Sequence, residues 1–295
     1  MKYADIGLQH LLKSYVDGLP LSIAAKLLPF RLRFNPSIYT HIYLQEKYFS
    51  KYSNEEKKVV IKAVSLTTKK QLFEDLFDLV NGLQLPAVKT EWGNYYAATN
   101  YDEKSLQHKK QILGQFVFKK ELNLVWDLGG NTGYFSRVFS DKGINTVCFD
   151  IDPVAVERNY LQVKENKDAL LLPLLFDITN PSPGIGWAGK ERVAISERGK
   201  PDLIMTLALI HHLFITHHCS FEMLSNYLAA NTDLVILEFV PVQDSQVQRL
   251  INNRQDNLVG YSPEHFEQVF CANWHIAQKI DILDTHRTIY LLEKK

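Results

Sequence analysis

From Leu122 to the end of the chain, short apolar runs alternate with segments of helical periodicity, the pattern of a parallel α/β sheet. The apolar runs predict strands near 123–127, 145–150, 170–176, 202–207 and 233–239. Positions spaced three and four apart predict helices near 133–142, 153–165, 209–229 (with a break), 244–254 and 262–272. The last of these opens on Ser262-Pro263-Glu264, with proline in the first turn. Two more strands, Trp274 to Ile282 and Arg287 to Glu293, finish the chain as a hairpin. The N-terminal third reads differently: residues 3–81 predict helices only. Leu8, Leu11, Leu12 and Tyr15 recur at helical spacing, as do Ile23, Leu27 and Phe30, and then Leu72, Leu76, Leu79 and Val80. Pro20, Pro29 and Pro36 delimit these helices, one of which runs from Pro36 to Phe49. Ser53-Asn54-Glu55-Glu56 reads as an N-cap with an acidic first turn, and Asn81-Gly82 as a stop. The expected architecture is α/β: a Rossmann-like seven-stranded sheet with a terminal antiparallel strand, plus an N-terminal helical domain. Residues 1–103 form the helical part with an aromatic connecting loop (Trp92-Gly93-Asn94-Tyr95-Tyr96, Thr99-Asn100-Tyr101), and 104–295 the sheet domain.

Charge and cysteine usage narrow the partners. The 295 residues carry 33 Lys and Arg against 33 Asp and Glu, so the net charge of zero argues against broad binding to nucleic acid or an anionic membrane. No run approaches ~18 consecutive apolar residues, and Met1 to Tyr15 lacks the apolar core of a signal peptide. Cys148, Cys219 and Cys271 are scattered, which is the usage of a reduced, cytoplasmic protein. Arg31 and Arg33, flanking Leu32, read as solvated surface charges rather than an anion site.

One stretch carries the strongest chemical signal. The first apolar strand breaks into Asp127-Leu128-Gly129-Gly130-Asn131-Thr132-Gly133-Tyr134-Phe135 and then a helical pattern, so strand, tight turn and helix follow in order. The second strand ends in Asp150-Ile151-Asp152, where a carboxylate is placed to accept from ribose hydroxyls. The glycine spacing, D-x-G-x-N-x-G, does not match the G-x-G-x-x-G of a dinucleotide site, and no Gly-Lys-Ser/Thr follows as in a P-loop.

This turn resembles motif I of the class I S-adenosylmethionine-dependent methyltransferases, with Asn131 in place of the usual middle glycine. The resemblance extends to Asp150 after the second strand, to Asp177-Ile178 after the third, and to the terminal hairpin. It implies a seven-stranded methyltransferase sheet and S-adenosyl-L-methionine as cofactor. It further implies roles residue by residue. Gly129 and Gly133 let the backbone approach the methionine part and the helix pack closely. Asp127 orients the loop or meets the cofactor's ammonium. Asp150 takes the ribose hydroxyls, Asp177 the adenine amino group, and the Ile178 amide a ring nitrogen. Gly130, Asn131, Phe135, Ile151 and Leu207 complete the implied contact set, with Asn131 adding a polar contact that glycine cannot. Over nearly its whole length the chain is also similar to the poorly characterised nodulation-protein-like bacterial methyltransferases. The segments carrying this likeness are Leu28 to Arg33, Trp92 to Tyr96, Asn180 to Trp187, Leu207 to Leu213 and Glu238 to Pro241. Phe30 departs from that pattern, standing where an arginine is expected.

Methyl transfer requires an acceptor atom held in line with the sulfonium methyl, and a base where the acceptor is a hydroxyl or ammonium. The carboxyl ends of the fourth and fifth strands face that space. His211 and His212 follow the fourth strand, and the imidazole's ordinary pKa near 6.5 suits a base. Consecutive residues diverge, so at most one of the two faces the substrate. Glu238, ending the fifth strand, is the second catalytic candidate, and Arg249 and Arg254 on the next helix read as exposed. His217-His218-Cys219 superficially suggests zinc, but no paired ligand element accompanies it and no metal is expected. The connection at 178–201 is placed to shape a substrate pocket, with Trp187 either stacking on the acceptor or anchoring the loop. The expected activity is therefore transfer of a methyl group (the EC 2.1.1 class) to a small molecule or saccharide-type metabolite. A protein or RNA acceptor, or a cofactor-binding module without activity, are the alternatives.

Overall fold

The computed structural model of the chain describes residues 11–52, 64–85, 90, 103–117, 121–252 and 258–295. The expectations for Leu8, Ser53 to Glu56, the aromatic stretch from Trp92 to Tyr101, and Arg254 fall outside the described residues. The chain divides into two units, one of residues 1–87 and 182–194, the other of 88–181 and 195–295. The sequence-based boundary at 103/104 lies next to residues outside the description, whereas the assignment of 182–194 to the first unit has no counterpart in the sequence reading.

In the first unit, α1 (Leu21–Leu27) is followed by a 3₁₀ turn (Phe30–Phe34) and α2 (Pro36–Ile38). Helix α2 continues through a π-helical stretch (Tyr39–Leu44) into α3 (Gln45–Tyr52), and α4 (Leu66–Asn81) follows. Asn35 caps α2 by accepting from the Ile38 amide, and Pro36 occupies its first turn, where the missing N–H costs nothing. Leu32, Ile38 and Tyr43 form a small core with Leu79 of α4 packed on it. Asp75 of α4 ties the two segments, accepting from the Ser37 hydroxyl at 2.6 Å and pairing with His41 at 2.9 Å. The Arg33 guanidinium lies 5.3 Å from the Phe30 ring centre and 5.0 Å from that of Tyr43, so it is spent on local packing. Within the 182–194 segment, Ile185 and Arg192 bridge antiparallel, and Arg192 donates to the Leu12 carbonyl at 2.7 Å. Trp187 at its tip is 84% exposed, so it anchors nothing in this unit.

The second unit carries a seven-stranded sheet. Strands β1 (Leu124–Leu128), β2 (Asn145–Asp150), β3 (Leu171–Leu175), β4 (Leu203–Thr206) and β5 (Leu234–Phe239) are parallel, and β6 (Trp274–Asp281) and β7 (Thr288–Lys294) form an antiparallel hairpin. The order β3-β2-β1-β4-β5-β7-β6, with β7 antiparallel to β5, is the Rossmann-like methyltransferase sheet the sequence predicts. Helices α5 (Glu103–Val117), α6 (Arg137–Ser140), α7 (Pro153–Asn166), α8 (Ile210–His217), α9 (Phe221–Asn231), α10 (Ser245–Asn252) and α11 (Pro263–Phe270) accompany it. The helix expected at 133–142 is confined to α6, because residues 131–136 are used up in turns.

Strand alternation divides the core into two layers. Trp126, Leu128, Ile204, Val235, Leu237 and Phe239 pack on one face with Phe221 and Leu224 of α9 and Phe266 and Phe270 of α11. Val125, Leu203, Met205 and Ile236 pack on the other with Ile112, Leu113 and Phe116 of α5. Asp127 and Glu238 share the parity of this second set, which points both carboxylates to the α5 side. The α5 stripe itself runs Leu106, Lys109, Ile112/Leu113, Phe116, so a lysine stands in an apolar row. Lys109, 2% exposed, donates to Glu238, which is wholly buried. The other Glu238 oxygen accepts from Arg287 at 3.2 Å, and Arg287 in turn grips Asp244 through two bonds of 2.7 and 3.1 Å. Two cations and two carboxylates thus join α5, β5, the turn before α10 and the start of β7. Replacing Glu238 with alanine leaves two buried cations short of a partner, and such breakage typically costs about 3–5 kcal/mol. We expect urea unfolding to show a loss of that size for Glu238→Ala. The exposed control Glu165→Ala should stay within about 0.5 kcal/mol.

Candidate functional site

The carboxyl ends of β1 to β4 open onto a cavity of about 440 Å³. It lies where the chain leaves β1 in one direction for β2 and in the other for β4, the crevice in which open α/β sheets place ligands. Of the residues expected to hold a cofactor, Asp127, Gly129, Gly130, Asn131, Phe135, Asp150, Ile151, Asp177, Ile178 and Leu207 all line it.

The glycine turn is held from three sides. The Gly129 and Gly130 amides donate to the Phe149 carbonyl at 2.8 and 3.0 Å, and the Asn131 amide donates to Asp150 at 2.8 Å. The Gly133 amide donates to the Gly130 carbonyl. These four amides are therefore committed within the protein and do not form the N–H nest that a pyrophosphate needs. Gly129 has φ of +77°, and a Cβ on Gly130 would lie 2.5 Å from the Cys148 sulfur and 2.6 Å from an Asp127 oxygen. Asn131 has φ of +51°, in the left-handed region that asparagine tolerates best after glycine, which explains its place in the motif. Gly133 does not line the cavity. Its φ is +74°, and a Cβ there would press on Asn159 of α7, the residue that, with the Thr132 carbonyl, receives Arg137. Its part is the close packing of turn on helix.

The carboxylates differ in environment. Asp127 is 1% exposed; one oxygen accepts from the Ser136 hydroxyl at 2.6 Å, while Oδ1 has no partner. Burial pushes its pKa up to about 6 against the opposing pulls of Ser136 and Lys109. Asp150 accepts from the Asn131 and Asp152 amides, yet burial still raises it to about 6. Asp177 is half-buried and bonds the amide and hydroxyl of Thr179 through one oxygen. Asp152, beside Ile151, serves instead as the cap of α7, accepting from Val154 and Ala155.

The expected catalytic set separates. His212 lines the cavity; His211 and Glu238 do not. The two rings meet at the start of α8, their centres 4.1 Å apart, but only His212 reaches the wall, and His211 is 2% exposed. Glu238 is consumed by Lys109 and Arg287 and is corrected from a candidate acceptor contact to the centre of an ion-pair network. Burial lowers the His212 pKa to about 4, with the neighbouring His217 and Arg287 acting in the same direction. Its ring is therefore neutral from pH 5 upward. Thr216 and His217, one turn further on α8, and Leu250 of α10 complete that end of the wall. Among the described residues no group of three or more His, Cys, Asp or Glu side chains is placed to hold a metal ion.

Three features were missed in the sequence. Lys109 is the one lysine or arginine among the described lining residues, and its signal was a cation in an apolar helical stripe. Its ammonium lies 4.3 Å from the Phe135 ring centre. Ser136 fixes Asp127 and carries no sequence signal beyond its place in the turn. Ala208 holds φ of +50° where β4 meets α8, a strained conformation for alanine in the cavity wall.

S-adenosylmethionine fits this donor set. The orphaned Asp127 oxygen leaves an unanswered polar group beside the turn, on a residue that lines the cavity. Three carboxylates against one lysine make the wall electronegative, which suits a cofactor bearing a sulfonium and no phosphate.

No protein-family profile matches the chain. It is 30% identical over 286 residues to the nodulation protein NoeA of Rhizobium meliloti (strain 1021), a match covering 95% of this chain and 60% of that protein. The chain thus spans less than two thirds of the length of this curated relative. Among solved structures it is similar to WbdD, a bifunctional kinase-methyltransferase, at 22% identity over 74% of this chain and 46% of that one, with a TM-score of 0.46. It is also similar to magnesium protoporphyrin IX methyltransferase from Synechocystis PCC 6803, at 15% identity over 69% and 92% of the two chains, with a TM-score of 0.48.

Two measurements check the site. Gly130→Ala should lower stability to urea by about 1–3 kcal/mol, because its Cβ would press on the buried Cys148 sulfur and Asp127 carboxylate. For Asp127, the unfolded carboxyl titrates near its ordinary 3.8 and the folded one near 6, so the folded state binds the proton more tightly. Its contribution is present below pH 4 and lost as pH rises through 6. Without ligand, Asp127→Asn should therefore gain on wild type by on the order of 2–3 kcal/mol between pH 4 and pH 7 in chemical unfolding.

Proposed function

We propose that this chain is an S-adenosylmethionine-dependent methyltransferase acting on a small-molecule acceptor. The observation that carries the reading is one cavity lined by the β1 turn and by carboxylates from β1, β2 and the loop after β3, with the turn amides already committed within the protein. When bound, the cofactor supplies an electrophilic methyl on a positively charged sulfur. The protein's part is positioning and proton removal. Asp150, fixed by two amides at the tip of β2, accepts from the ribose hydroxyls. Asp177 and the Ile178 amide read the adenine edge, and Ile151 and Phe149 flank it. Asp127 receives the ammonium on its unpartnered oxygen.

The acceptor enters over the end of β4, against Leu209, His212, Leu213, Thr216, His217 and Leu250. His212 accepts the proton from the attacking hydroxyl or amine at its neutral ring nitrogen, and Thr216 orients the acceptor. The mixed apolar and polar character of this wall supports a small-molecule acceptor. The overall charge of zero supports the same choice over RNA.

Calorimetry should show S-adenosylmethionine and S-adenosylhomocysteine binding, weakened about tenfold or more by Asp150→Ala. No binding by wild type would sink the proposal. Incubating the protein with methyl-labelled cofactor and size-fractionated extract should place label in the small-molecule fraction. Label in protein or RNA would redirect the acceptor, and binding without any transfer would point to a non-catalytic module. His212→Phe should lower the transfer rate about 10²–10⁴-fold with cofactor affinity kept within about twofold. Because His212 is neutral down to about pH 4, the wild-type rate should show no inflection near pH 6.5.

A further inference from the structure

Helix α4 (Leu66–Asn81) is attached to its unit along one side. Leu79 packs on the small core there, and Asp75 bonds Ser37 and His41. At about 100° per residue, the opposite side carries Leu66, Phe73, Phe77 and Val80. All four are exposed, Phe73 at 72% and Phe77 at 65%. Leu66, Phe73 and Val80 recur every seventh residue. Leu76 follows Phe73 after three residues, and Leu83, just past the helix end, follows Val80 likewise; both are exposed. Alternating steps of three and four on a seven-residue repeat form the seam by which one helix packs along another.

The charges beside this seam say which helix that is. Lys70, Glu74 and Asp78 follow one flank in four-residue steps and line one groove with Phe73, Leu76, Phe77 and Val80. Their order opposes the helix macrodipole: Lys69 and Lys70 fall in the N-terminal half, Glu74 and Asp78 in the C-terminal half. The first turn holds no acidic residue and the last turn no basic one. The Lys70–Glu74 pair, 3.5 Å apart, also runs in the weaker direction, lysine first. Such an order is unfavourable for one helix alone and self-complementary for two laid antiparallel. We propose that α4 is a homodimer contact, through which two copies of this chain pair by antiparallel α4 helices. Phe73 then packs against the second copy's Leu76, and Leu66 against its Leu83. Lys70 meets the second copy's Glu74 and Asp78, and each lysine-bearing end lies beside the carbonyl end of the other helix. Every contact occurs twice about one two-fold axis. A pair of 16-residue helices buries less than the ~800 Å² per partner of a standard interface, so the dimer forms reversibly with concentration.

Sedimentation velocity on the whole chain tests this. Between roughly 1 and 100 μM the wild type should pass from the mass of one chain to that of two. Phe73→Glu combined with Phe77→Glu should stay monomeric throughout that range, with thermal unfolding unchanged because both side chains are exposed. Lys70→Glu should weaken the dimer about fivefold, and so should Glu74→Lys combined with Asp78→Lys. All three charge reversals together should restore it to within about twofold of wild type. A second measurement needs no variant: carbodiimide coupling of an equal mixture of unlabelled and isotope-labelled wild type. It should link Lys69 or Lys70 of one isotope to Glu74 or Asp78 of the other. A wild type that stays monomeric over the whole range would overturn the inference and leave the face to a different partner. So would a dimer undiminished by the two phenylalanine substitutions, or one whose mixed-isotope links avoid α4. Failure of the combined charge reversal to restore the dimer would overturn the antiparallel pairing.

Discussion

Glu238 sits at a place in this fold where a charge is tolerated only because it is answered twice. It is wholly buried in the central strand β5, and removing a carboxylate from water costs several kcal/mol even after relaxation. Lys109 from α5 and Arg287 from the start of β7 offset that cost, and Asp244 balances the second cation. Four charges from four separated segments thus require one another. That requirement orients α5 over the sheet and positions the residues leading into α10. Both elements contribute to the cavity, through Lys109 and Leu250. An apolar quartet of similar volume could be as stable. It would not place an ammonium beside Asp127.

The turn after β1 shows the same economy with backbone groups. Its amides bond the Phe149 carbonyl and the Asp150 carboxylate, so β1 and β2 are joined beyond their last paired residues. This leaves the ligand-facing chemistry to side chains, and the cavity becomes acidic rather than anion-binding. Gly130 and Gly133 are required for opposite sides of the turn: one gives room to Asp127 and Cys148, the other to Asn159 and Arg137. Asn131 adopts a left-handed backbone, and its backbone amide orients Asp150.

Much of this was legible without coordinates. The five parallel strands and the terminal hairpin lie within a residue or two of where the pattern placed them: β1, β4 and β5 are buried on both faces and read as continuous apolar runs, while β3 and β6 alternate between buried and more open positions. The carboxylates Asp127, Asp150 and Asp177 were legible as charges closing apolar runs, a signal that Glu238 shares. Helix lengths were less so: α6 is short because the turn's hydrogen bonds use up the residues before it. The π-helical stretch at Tyr39–Leu44 left no mark in the apolar spacing.

What the sequence determined by itself was the order of elements, the glycine turn and the list of carboxylates, all local consequences of periodicity and backbone sterics. Only the tertiary structure decided which charged groups meet. Glu238 is the last residue but one of its strand, as Asp127 is, and Asp150 is the last of its own, so nothing local distinguishes them. The difference is that β5 has α5 and β7 pressed against it, with a cation on each, whereas β1 and β2 end at a cavity. Likewise His211 and His212 are adjacent in sequence, and the pitch of α8 against the sheet sends only the second to the wall. Pairing energies between distant charges depend on separation and burial, and those two quantities exist only once the chain has folded.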